Sequence, residues 1–246
     1  MKAIYLLIGL LSANAFADGH LSPPMTAHYG FSTENPAAVV QNLQALMESD
    51  CGKEIPAVIS LNDLHFNGGN PATHGVAFNY KSGKDLDKTA EIFNTCAAAQ
   101  RFLARGAEIT KPEWQMLSSP IVAGGNSAES NVIMFWGIKV ADEAKYVASY
   151  KKMMATQEEE GLVTGNYGIN RIISGSINGS THFAYVTASS MGELGEGTTV
   201  SFASDAFAKF SREVAPIREI ISVNTTFRVM TFNYCLLYTS DAADEV

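Results

Sequence analysis

Asp63, His65 and His74 are the first side chains in this sequence whose types and spacing could do chemistry together. Asp63 and His65 alternate onto one face of a strand-like run, Ala57 to Phe66. His74 opens the next such run, across the turn-rich loop Asn67-Gly68-Gly69-Asn70-Pro71. A hairpin there brings the two imidazoles toward each other. Imidazole and carboxylate are ligands for first-row metals, which makes Asp63, His65 and His74 the candidate metal set. No H-E-x-x-H and no paired Cys/His spacing backs it, and the competing reading is three polar residues at a hairpin end. His28 and His65 are the candidate catalytic bases, because an imidazole titrates near neutrality. Tyr29, Trp136, Asn224 and Arg228 are the candidate pocket residues, two for apolar walls and two for polar contacts. Against that, Tyr29 and Trp136 could fill a core and Arg228 could sit on a solvated strand face.

Other motifs fall short. Gly192-Glu193-Leu194-Gly195-Glu196-Gly197 is glycine-rich but acidic, without the lysine and hydroxyl of a phosphate loop. Ser189 and Ser190 are not in a G-x-S-x-G elbow. Asn178-Gly179-Ser180 and Asn224-Thr225-Thr226 match the glycosylation sequon, which matters only in a eukaryotic secretory pathway.

The elements that must position these residues come in two copies. Tyr29, Gly30 and Phe31 match Trp136, Gly137 and Ile138, 107 residues on. Val39, Val40, Leu43, Leu46 and Met47 match Tyr146, Val147, Tyr150, Met153 and Met154, an apolar helix stripe in both places. Val76, Ala77 and Phe78 match Phe183, Ala184 and Tyr185 at the same offset. On that offset Asp63, His65 and His74 fall on Asn170, Ile172 and Thr181, so a metal site there would belong to one half only. The first half reads as strand, helix after Asn35-Pro36, strand, strand, helix from Asp85 to Leu103, and a strand within Glu113 to Val122. The second repeats the order, with Gly192 to Thr199 read as an excursion absent from the first, and a helix from Phe202 to Val214. Its final strand places Val223, Thr225, Phe227 and Val229 on one face and Asn224, Thr226, Arg228 and Met230 on the other. Each half is therefore β-α-β-β-α-β, the ferredoxin-like order, and an α+β fold. Such a sheet carries helices on one face only, so two halves can cover each other by packing sheet to sheet.

The ends read differently from the middle. Residues 1–17 form a secretory signal peptide: Lys2, an apolar run from Ala3 to Leu11, and small residues at Ala13, Ala15 and Ala17. The expected product is exported, to a periplasm or beyond the cell, without a stable membrane anchor. Residues 18–122 form the first ferredoxin-like repeat, 123–130 a polar linker, and 131–234 the second repeat. The tail at 235–246, reading C-L-L-Y-T-S-D-A-A-D-E from Cys235, resembles a peptide translated from sequencing-adapter DNA and is expected to be non-native. The formal charge of -8, without a Lys/Arg cluster, argues against a nucleic-acid partner and against attachment to anionic lipid. An exported chain permits a Cys51–Cys96 disulfide. A continuous helix from Asp85, however, places Cys96 about three turns along it, well above Cys51, and two separate buried thiols are the alternative.

This order and duplication resemble the dimeric α+β barrel superfamily, here fused in tandem over about residues 25 to 234. That superfamily includes antibiotic-biosynthesis-type monooxygenases, EthD-like proteins, stress-responsive barrel proteins and haem-binding relatives. The resemblance implies a cavity for a small apolar or aromatic molecule, with no single catalytic motif to carry over. The expectation is a soluble barrel protein that binds such a molecule as a monomer or homodimer. The alternatives are a cofactor-independent, monooxygenase-like enzyme and a haem- or metal-binding barrel. No cofactor is predicted, and haem and a divalent metal stay open.

Overall fold

The computed structural model describes residues 24–125 and 130–233; the leader, positions 126–129 of the linker and the tail at 235–246 lie outside them. The first half holds β1 (Met25–Ser32), α1 (Pro36–Glu48), α2 (Asp50–Lys53), β2 (Val58–His65), β3 (His74–Tyr80), α3 (Gly83–Thr95), α4 (Ala97–Ile109) and β4 (Lys111–Gly124). The second holds β5 (Val132–Val140), α5 (Glu143–Glu159), β6 (Tyr167–Gly175), β7 (His182–Ala188), α6 (Met191–Ala203), α7 (Asp205–Val214) and β8 (Arg218–Phe232).

The two ferredoxin-like units close into one eight-stranded barrel, in the order β1-β3-β2-β8-β5-β7-β6-β4. All neighbouring pairs are antiparallel. The seams between halves are β2–β8 and β4–β6. β4 and β8 are long, 14 and 15 residues, because each serves both sheets. Thr26 to Ser32 of β1 take up the start of β4, and β6 takes up its end.

Helices cover the outside of each sheet. The Asn35 side chain accepts a hydrogen bond from Ala38 N at the start of α1, and Asp142 does the same for Lys145 N in α5. The predicted stripes face inward: Val39, Leu43, Leu46 and Met47 are buried in the first half, Tyr146, Tyr150, Met153 and Met154 in the second. Each such side chain contributes roughly 1.5–3 kcal/mol by leaving water. Among the described residues no helix is long and apolar enough to cross a membrane.

Four local expectations need correction. Asp85 to Leu103 is not one helix: the chain breaks at Cys96, whose backbone is extended (φ -87, ψ 127), between α3 and α4. The break brings Cys96 to Cys51, with Cα atoms 6.5 Å apart, and the two form a disulfide. Gly192 to Thr199 is not an excursion but lies within α6, the counterpart of α3. Ser190 caps α6 by accepting from Glu193 N, and the Glu193 carboxylate accepts from Ser189 N, so capping outweighs three glycines. The offset also changes along the chain. Phe31 pairs with His74 and Ile138 with His182, so β3 and β7 are related by 108 residues, not 107. Asp63 and His74 therefore correspond to Arg171 and His182. Finally, β8 is bulged where Asn62 meets Arg228 and Leu61 meets Met230, which sends Met230 outward into the first helix–sheet core.

Candidate functional site

Strand alternation makes the barrel interior. Thr26 and His28 of β1, Ser60 and Asn62 of β2, Ala77 and Asn79 of β3, and Trp114 and Met116 of β4 face it from the first half. Phe135 of β5, Asn170 of β6, Phe183 and Tyr185 of β7, and Thr226 and Arg228 of β8 face it from the second. Together they enclose a lumen of about 780 Å³, within the size range of small-molecule sites.

The lumen is a well with one mouth. Strand directions put the β2–β3 and β6–β7 loops at the same end. Asn70 of the first loop closes that end: its Nδ2 donates to Asn224 Oδ1 (3.3 Å) and its Oδ1 accepts from Trp114 Nε1 (3.2 Å). Ile177 of the second loop packs with Met116, Phe183, Trp114 and Phe135. Pro24, Pro56, Lys81, Ser130 and Asn166 line the opposite end. The indole of Trp114 crosses Gly30, where any Cβ would overlap it, so the floor depends on that glycine.

The two walls are unlike. Where the first half has His28, Gly75 and Ala77, the second has Phe135, Phe183 and Tyr185. Open space therefore lies against the first wall. His28 stands there with its ring edge-on to Phe183, centroids 5.4 Å apart. Its Nε2 meets Ser118 Oγ at 3.2 Å, and Ser118 Oγ in turn donates to Thr26 O. The hydroxyl proton being so used, Nε2 is the protonated nitrogen and Nδ1 carries the lone pair. Burial pulls the His28 pKa down to about 4, so the ring is neutral at pH 7. Asn62 is also buried; its Nδ2 donates to Ser60 Oγ (3.3 Å), while its Oδ1 has no protein partner.

The predicted site residues are dispersed. His28 and Arg228 face the lumen, and Asn224 is fully buried at its closed end. Tyr29 is 44% exposed on the outer side, edge-on to Phe78. Trp136 lines a different cavity. His65 is exposed, ion-paired to Asp63 Oδ2 at 2.8 Å and edge-on to Phe227. His74 is buried, its Nδ1 at 2.9 Å from Thr73 Oγ1 and its ring stacked on Phe31; burial lowers its pKa. Thr181 and His182 repeat this pair in the second half, where His182 also meets Glu143, which Arg171 clamps. The Arg171 and His182 bonds hold the Glu143 pKa down at about 2. Such duplication marks a structural device that ties β3 and β7 to the strand ends. Among the described residues no group of three His, Cys, Asp or Glu side chains is placed to hold a metal ion.

The second cavity, about 140 Å³, lies between sheet and helices of the second half. Trp136, Tyr150, Met153, Met154, Phe207 and Phe210 supply its apolar walls, and Gln157 and Arg218 its polar groups. It is the size of a site for one benzene ring. No imidazole or thiol lines it, so its residues do not fit a haem held through either.

Sequence reading missed Asn62, Ser118, Trp114 and Phe183. A signal for the first existed: Asn62 and Asn170 match at 108 residues, once β2 and β6 are aligned through His74 and His182.

No protein-family model and no curated protein matches the sequence. Solved structures do match. A monooxygenase candidate from Lactobacillus acidophilus NCFM is 13% identical, with 85% of this chain and 96% of that chain covered and a TM-score of 0.57. An anthrone oxidase-like protein is 12% identical, with 86% and 93% covered and a TM-score of 0.55. A heme-binding protein from Thermus thermophilus is 9% identical, with 85% and 92% covered and a TM-score of 0.54. At these identities the likeness concerns architecture: the chain has the eight-stranded, tandem ferredoxin-like barrel fold that these proteins share.

Proposed function

We propose that the protein takes a small, mostly apolar or aromatic molecule into the barrel lumen and oxidises it without a cofactor, with His28 as the base. The observation that carries this reading is a neutral imidazole, its Nδ1 unbonded, in a lumen of about 780 Å³ otherwise walled by aromatic and amide side chains. A base must be unprotonated and within reach of the substrate before its strength matters. The names of two fold relatives, a monooxygenase candidate and an anthrone oxidase-like protein, point the same way by analogy. His28 takes the proton of an activated methylene at Nδ1. Dioxygen is the oxidant: the methylene loses two hydrogens and gains one oxygen atom as a carbonyl, and the second oxygen leaves as water. Trp114 and Phe183 hold the rings, and Asn70 closes the floor against water. The Cys51–Cys96 bond supports the export read from the leader, since such bonds persist in oxidising compartments.

Oxygen uptake with anthrone as trial substrate tests this. His28→Phe, which installs the residue the second half carries at that position, should lower uptake by about 100-fold or more, the usual contribution of a positioned base. A chelator should leave the rate unchanged. Uptake that survives in a folded His28→Phe protein would sink the proposal.

A further inference from the structure

The lumen carries two hydrogen-bond acceptors that the protein leaves unused. One is Asn62 Oδ1, buried and without a partner. The other is His28 Nδ1, left with a lone pair because Nε2 is committed to Ser118. They stand on β2 and β1, with β3 between, two strand spacings or about 10 Å apart at the backbone. Between them β3 presents Gly75 and Ala77, a shelf almost without side chains. Opposite stand Phe183 and Tyr185, the bulky residues at the matching positions of β7.

Native proteins rarely leave a buried acceptor unpaired, because its lost hydration is not recovered. A flat shelf facing aromatic rings admits a planar body. The lumen faces no carboxylate except Asp85, near the mouth. From these features we infer that the ligand of the lumen is an uncharged, planar, fused-ring molecule with two O–H or N–H donors at opposite edges, one for Asn62 Oδ1 and one for His28 Nδ1. This rests on the lumen being the ligand site, and it adds what that site selects. An apolar ring system of the same shape lacking donors fits the shelf but leaves both acceptors dry. The site therefore discriminates by hydrogen-bond donation rather than by shape.

Three fluorescent probes of one ring system test this on the full chain: naphthalene-2,6-diol, 2-naphthol and 2,6-dimethoxynaphthalene. Titration followed by intrinsic and ligand fluorescence should rank them in that order, with about tenfold between neighbours for each lost charge-free hydrogen bond. Asn62→Leu, close in volume, should weaken the diol to the level of 2-naphthol and leave the dimethyl ether unchanged. Ala77→Tyr, copying Tyr185, should fill the shelf and remove binding of all three; melting curves check that both variants fold. Equal affinity for diol and dimethyl ether, with binding lost in Ala77→Tyr, would overturn the donor requirement while leaving the lumen as the site. Absence of binding to the wild-type chain, or binding indifferent to Ala77→Tyr, would overturn the inference together with the lumen reading beneath it.

Discussion

In the first half the chain turns between α3 and α4 at Cys96, and a covalent bond to Cys51, just beyond α1, holds the turn. In the second half the equivalent residue is Ser204, and Gln157 near the end of α5 holds it by hydrogen bonds. Gln157 Nε2 donates to Ser204 Oγ (3.0 Å) and Ser201 O (3.1 Å), and Ser201 Oγ donates to Gln157 Oε1 (3.0 Å). Ser204 also caps α7 by accepting from Phe207 N, a duty Cys96 cannot perform for α4. The packing follows the fastening. Phe93, Phe102 and both cysteines pack against the first helix–sheet core, whereas the second core retains its cavity of about 140 Å³. Inside the barrel the order reverses: the second wall is aromatic, and the first is small and polar. Each half is thus filled on one face and open on the other. Divergence after duplication moved bulk across the sheet rather than adding or removing it evenly.

The largest effect should come from breaking the covalent fastening. Closing a loop of 45 residues is worth about 4 kcal/mol in the chain-entropy account. Reduction, or Cys51→Ser with Cys96→Ser, should lower the unfolding free energy by about that amount in urea titrations. Gln157→Leu should cost only about 1 kcal/mol, since its bonds replace bonds to water. A Gln157 effect as large as the disulfide's would erase the distinction between the halves.

The second effect separates His28 from Phe135. The folded-state pKa of His28 is depressed to about 4, so between that value and its ordinary 6.5 the unfolded chain binds the extra proton. Stability must therefore rise with pH across this window, and be lost as pH falls through it, by up to about 3 kcal/mol. His28→Phe should flatten most of the slope between pH 4 and 6.5 in denaturation curves. His74, also depressed by burial, leaves a smaller residue of the same sign. An unchanged slope would mean that His28 is hydrated in the lumen.

The smallest contrast concerns two equivalent glycines. A Cβ at Gly30 would overlap the Trp114 indole, while one at Gly137 would meet Ser222 Oγ at 2.6 Å. An indole fixed by Asn70 cannot move aside, but a hydroxyl can turn. Gly30→Ala should cost about 1–3 kcal/mol and Gly137→Ala clearly less, by thermal melts of the two variants.

The duplication was legible because the α1 and α5 stripes keep a strict offset, and helix stripes tolerate no slip. The strands were legible in kind but not in register. One residue more lies between α5 and β6 than between α1 and β2, and a one-residue slip changes which face a strand residue occupies. That slip hid the correspondence of His74 with His182 and of Asn62 with Asn170. The break at Cys96 was illegible because no proline or glycine marks it; a bond to a residue 45 positions away sets it. The lumen floor was illegible for a related reason, since Trp114, Asn70 and Asn224 meet only after the barrel closes.

Closure also has a consequence for the chain while it is being made. Ile59, near the start of β2, finds its partner in Phe232, at the end of β8. Until that last strand emerges, the first half waits with β2 and the far end of β4 as bare edges, each able to pair with a neighbouring copy. Such long-range pairing also makes ring closure slow. The interval between finishing the first half and finishing the last strand is thus when this protein is most exposed to misassembly, and a holding chaperone would matter most then.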